Sequence, residues 1–179
     1  MYDWKTEIVK LSLIKQELAE IDTHKLWPWH LPNVGATELE LMECRHFLGF
    51  ELDPIYQDFL TYANGWRGFI QATDLFGTKE LMGSDKKNQN AEEILSDIED
   101  SVLDQAGTSK EALFPIAMSQ LDFDVFAMVK PSFARAGMVI WFAGYEIQRF
   151  ENFHDFFLAM EEYNLLVLDD LKQKELKRK

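Results

Sequence analysis

Apolar residues near the start of the chain recur at helical spacing. Trp4, Ile8, Leu11, Ile14, Leu18 and Ile21 step by three or four positions, which gathers them on one stripe of a helix. The stripe ends before Trp27-Pro28-Trp29-His30-Leu31-Pro32. Proline restricts its own backbone and that of the residue before it, so this stretch is predicted to be an extended connector. Its two tryptophans either lock the helix onto the body of the fold or form an exposed recognition patch.

Two short helices follow with punctuation at both ends. Thr37-Glu38-Leu39-Glu40 is a capping box, in which the Thr37 hydroxyl accepts from the Glu40 amide and the Glu40 carboxylate reaches back. Leu39, Met42, His46 and Phe47 then mark one face, and Gly49 supplies a left-handed stop. The next helix has Asp53 as N-cap and Pro54 in its first position. Ile55, Tyr56, Phe59, Leu60 and Ala63 form its apolar face, and Asn64-Gly65 ends it.

Beyond Gly65 the periodicity breaks. Short apolar pairs (Phe69-Ile70, Leu75-Phe76, Leu81-Met82) among Gly, Thr and Asp predict turns and a brief strand, and residues 83–90 (GSDKKNQN) a loop. From Ala91 to Ala106, Ile94, Leu95, Ile98 and Val102 return to helical spacing until Gly107-Thr108. The second half is rich in strands: 113–118, 123–129, 137–142 and 145–150 are apolar or alternating, separated by turn residues. Consecutive strands without intervening helices favour an antiparallel sheet. A closing helix runs from Asn152 with Phe153, Phe156, Phe157 and Met160 inward, and 165–171 either extends it or adds a last apolar piece. The predicted fold class is α+β: N-terminal helices, an antiparallel meander sheet, and a C-terminal helix packed on it.

Composition narrows the function. A chain of 179 residues is most simply one domain, and 13% aromatic residues suffice for a real core. The formal charge of −13 argues against nucleic acid and against anionic membrane surfaces, both of which recruit basic groups. A single cysteine forms no internal disulfide, and the charged first residues carry no apolar leader segment. The most apolar stretch, 136–145, is far shorter than the ~20 residues of a membrane span. The expected location is the cytoplasm.

The charge is uneven. Of 18 bases and 31 acids, residues 172–179 hold five and one, so the tail carries +4 and the body −17. Between Glu92 and Asp104 stand six acids and no base. Such a run is either a solvated helix face or a docking surface for a basic protein.

Catalytic chemistry has no foothold at sequence level. Phosphate-binding glycine loops are missing, and the four histidines and one cysteine have no ligand spacing, so neither metal nor cofactor is expected. Asp122 and Asp124 open like a calcium loop but lack its glycine and glutamate, and a strand-turn pair accounts for them. Cys44 and His46 differ by ~200° around a helix and point to opposite sides.

One set of residues resembles a known family. Gly35-Ala36-Thr37-Glu38, the run from Leu48 to Tyr56 (LGFELDPIY), Phe59-Leu60 and Asn64-Gly65 look like the opening of the SUKH superfamily. Phe114-Pro115-Ile116-Ala117 resembles its strand before the central hairpin, and 150–157 (FENFHDFF) its closing helix entry. The resemblance covers about residues 34–163 in order, leaving 1–33 as helix and connector and 164–179 as tail. The helix in 1–26 and the acidic segment around 84–112 depart from the pattern. So does Ser119-Gln120-Leu121-Asp122, where a glycine-rich turn is common.

The resemblance implies a binding protein rather than an enzyme: a bacterial immunity protein that neutralises a cognate toxin, often a nuclease, or a regulatory or scaffold protein of the same fold acting on a host protein. The candidate partner-binding residues are Glu92, Glu93, Asp97, Asp100 and Asp104, with Trp66 as an exposed aromatic anchor. A hydrolase assembled around His154 is the third reading.

Overall fold

The computed structural model describes residues 2–119 and 121–176. Helix α1 (Trp4–Ile21) is capped by Asp3, which accepts from the Thr6 amide at 3.2 Å. Trp4 and Leu11 are fully buried, and Lys15 sits on the same face. The connector follows without helix or strand.

Helix α2 (Glu38–Leu48) carries the predicted capping box: Glu40 N–H donates to Thr37 Oγ1 at 3.2 Å, and Thr37 N–H to Glu40 Oε2 at 2.8 Å. Its inner face, however, is the other apolar stripe. Leu41 and Cys44 are buried, with Leu48 half-buried below them, while Leu39, Met42 and Phe47 are 53–62% exposed. Both stripes have helical spacing, so periodicity alone did not separate them. Helix α3 (Pro54–Leu60) begins as predicted, with Asp53 Oδ1 accepting from the amides of Ile55 and Tyr56.

The sheet holds β1 (Trp66–Ile70), β2 (Thr73–Leu75), β3 (Leu113–Ser119), β4 (Val125–Val129), β5 (Val139–Phe142) and β6 (Glu146–Phe150). Its order follows the chain and every pair is antiparallel, a six-stranded meander. All of β3 and β4 is buried, which requires cover on both faces. Phe126 and its cross-strand partner Trp141 meet α7 (Phe153–Leu176) through Phe156 and Tyr163. Met118 and its partner Val125 face the other way, beneath α5.

Between β2 and β3 lie α4 (Thr78–Leu81), α5 (Lys86–Asp97) and α6 (Asp100–Ala106). The expected loop at 83–90 is half helix: Asp85 caps α5 by accepting from the Lys87 amide, and buried Asn88 donates to the Glu80 carbonyl at 2.7 Å. The helix expected over 91–106 breaks at Ile98, whose extended backbone (φ −63°, ψ 129°) turns its side chain into the core. Helix α7 continues through 165–171 and packs along α1. Lys177, Arg178 and Lys179 of the basic tail lie outside the described residues.

Candidate functional site

The break between α5 and α6 divides the acidic run. On α5, Asn90, Glu93, Ile94 and Asp97 are spaced to share a face, with Ile98 just beyond them at the break. That face forms one wall of a groove of about 600 Å³. The β3–β4 turn supplies the opposite wall with Leu121, Asp122 and Phe123, and buried Met118 forms the floor. Leu121 is 75% and Phe123 78% exposed. Glu92 points instead toward a second groove of about 390 Å³ on the other side of α5, beside Phe47, Phe50 and Lys130. Asp100 opens α6 and pairs with Lys110 at 3.4 Å, while Asp104 is exposed one turn on. The structure thus groups Glu93 with Asp97 and adds Asp122; Glu92, Asp100 and Asp104 flank that pair.

Trp66 does not belong to this surface. It is fully buried, its Nε1–H donates to the His30 carbonyl at 2.8 Å, and its ring packs against Phe69. As the first residue of β1 it ties the connector to the sheet, and an anchor for a partner must lie elsewhere. Exposed aromatics beside the groove that holds Glu93 and Asp97 include Phe123 and, at the neighbouring β5–β6 turn, Tyr145. A sequence signal for the former existed: large apolar residues at Leu121 and Phe123 flank a turn where small polar residues are the rule.

The groove walls are held from below. The Lys87 ammonium meets the buried Asp74 carboxylate at 2.6 Å, pinning the start of α5 to β2. Ser119 Oγ accepts from the amides of Leu121 and Asp122, both at 3.2 Å. On the far side of the turn, Trp141 Nε1–H donates to Asp124 Oδ1 at 2.9 Å. Asp124 is therefore engaged in the hairpin, as the strand-turn reading expected. A surface fixed in this way loses little conformational freedom when a partner binds.

Cys44 and His154, two of the residues considered for chemistry, are packed into structure. Burial pushes the Cys44 thiol up to about 11, so it stays protonated, and His46 is exposed on the other side of α2. His154 stacks on Tyr2 with centroids 3.9 Å apart, and its Nε2 meets Glu7 Oε1 at 2.9 Å, an arrangement that fastens α1 to α7. Among the described residues, no group of three or more His, Cys, Asp or Glu could hold a metal ion, and no helix is long and apolar enough to cross a membrane.

A meander sheet closed by a C-terminal helix, with a pre-formed groove joining apolar and acidic side chains, has the build of an α+β interaction domain. Residues 35–159 match the SMI1 / KNR4 family (SUKH-1), and the chain belongs to that family. Its members are immunity and regulatory proteins that act in general by binding partner proteins. The match begins beyond the connector and ends within α7, so α1 lies outside it. No curated protein matches the chain.

Proposed function

We propose that this chain is an immunity protein that neutralises a cognate bacterial toxin by direct binding in the cytoplasm, without catalysis of its own. The observation that carries this reading is the α5–α6 segment. Glu92, Glu93, Asp97, Asp100 and Asp104 are all exposed there, with no base between Glu92 and Asp104. A toxin that acts on nucleic acid needs a basic surface for phosphates, and a protein of charge −13 with its acids on a fixed helical edge competes for that surface. Complementary fields also speed encounter, which an inhibitor of an incoming toxin needs.

Co-expression with the protein encoded by the adjacent gene tests the reading. Rescue of growth and co-purification of the pair support it. Continued toxicity without a complex refutes it, and recovery of a housekeeping protein alone replaces it with the regulatory reading of the same family.

A further inference from the structure

The groove between α5 and the β3–β4 turn has a chemistry more specific than negative charge. Its floor and part of its walls are apolar (Ile94, Ile98, Met118), and its rim sets Glu93 and Asp97 across from Asp122. Leu121 and Phe123 stand at the turn with three quarters of their surface in water. Large apolar side chains held exposed are costly unless something covers them, and those beside a concave wall mark a docking site.

The character of the occupant follows from the rim. Carboxylates on both walls repel nucleic acid and anionic lipid headgroups. They equally disfavour the same face of a second copy, which carries the same carboxylates. A purely apolar ligand would leave the charges of the rim unanswered, and a free cation would leave the apolar floor uncovered. The segment that satisfies both puts an apolar side chain on the floor and a lysine or arginine toward each wall. Alternation of that kind is natural to an extended strand, whose successive side chains point to opposite faces.

We propose that this groove takes an extended segment of the partner protein in which apolar residues alternate with Lys or Arg. Glu93, Asp97 and Asp122 receive the bases, and Phe123 closes over the apolar residue. The proposal rests on the partner-binding reading above and names the contact within it. The acids of α6 then serve as a flanking field rather than as the contact itself, since Asp100 already has Lys110.

The test uses the full chain and two synthetic pentapeptides, KLKFK and its acidic counterpart ELEFE, followed by amide NMR shifts. The expected result is binding of KLKFK with a Kd of about 0.1–1 mM at low salt, as suits so short a ligand. Shifts should centre on Asp97, Ile98, Met118 and Phe123, and binding should weaken as salt rises to ~0.15 M. ELEFE should produce none of these shifts. The variant Glu93→Gln/Asp97→Asn/Asp122→Asn should weaken KLKFK about tenfold, and Phe123→Ser should do so while leaving the rim charges in place. Equal binding of ELEFE, shifts centred instead on Phe47 and Glu92, unchanged affinity in both variants, or no binding at all would overturn the proposal. The toxin reading fails separately, by loss of rescue in cells. A groove that binds KLKFK in a chain that rescues nothing keeps the site and removes the toxin.

Discussion

Lys15 carries its charge inside the fold, and the cost can be measured. It is 4% exposed on the inner face of α1, and its ammonium has a carbonyl for company: Phe69 O at 3.5 Å, which Asn164 of α7 also engages at 3.2 Å. Burial lowers its proton affinity, moving the pKa from 10.5 to about 8. At ~1.4 kcal/mol for each tenfold change, carrying the charge inside costs about 3 kcal/mol at neutral pH. Below pH 8 the folded and unfolded chains both hold the proton, so the full penalty applies. Between pH 8 and 10.5 the unfolded chain keeps a proton that the folded one has released, so this group makes stability rise with pH. Lys15→Met keeps the apolar stem and removes the charge, and Phe69 O retains Asn164. The variant should be more stable by about 2–3 kcal/mol at pH 7, raising Tm by roughly 5–10 °C. That gain should shrink through pH 9 and vanish above about 10.5, as the parent chain sheds its penalty. Urea or thermal unfolding of both chains across this range gives the difference directly. A variant no more stable than its parent at pH 7, or a gain that ignores pH, would refute the reasoning.

Substitutions at four further positions probe the architecture. Trp66→Ala should cost about 3–5 kcal/mol in urea unfolding, as for a buried aromatic, and Trp66→Phe much less; a near-neutral Ala variant would return Trp66 to the surface. Gly137→Ala places a Cβ 2.4 Å from Asp53 Oδ2 at a φ of +82°. It should destabilise the chain by about 1–3 kcal/mol by straining the turn and displacing the α3 cap, and an unchanged Tm would contradict this. Leu39→Gln and Phe47→Gln, on the outer stripe of α2, should each stay within about 0.5 kcal/mol of the parent; a loss of several would make that stripe the inner face after all.

What could be read from the sequence was what local chemistry dictates. Thr37 with Glu40, Asp53 with Pro54, and Gly49 and Gly107 in left-handed conformation set helix ends that depend only on neighbouring residues. The meander was legible because β3 to β6 follow one another with turns between. Tertiary choices were not. The inner side of α2 was decided by where Leu41 and Cys44 meet the body, and the helical start of α5 was supported by a bond from buried Asn88 to the Glu80 carbonyl at the end of α4 as well as by its local Asp85 cap. The candidate site was half visible. Glu93 and Asp97 belong to one helix face and could be paired from spacing, whereas Asp122 joins them only once the β3–β4 turn folds against α5. Trp66 was misplaced because an aromatic beside Gly65 and Arg67 reads equally well as a loop or as the first residue of a strand.

The central claim is that this acidic chain binds a basic partner protein through the groove beside α5. Its most direct measurement is the Kd for the protein encoded by the adjacent gene, determined for the parent chain and for Glu93→Gln/Asp97→Asn/Asp122→Asn over a range of salt. The parent should bind tightly with an affinity that falls as salt rises, and the variant more weakly with a flatter dependence. Binding that is indifferent to both salt and the three neutralisations would contradict the account.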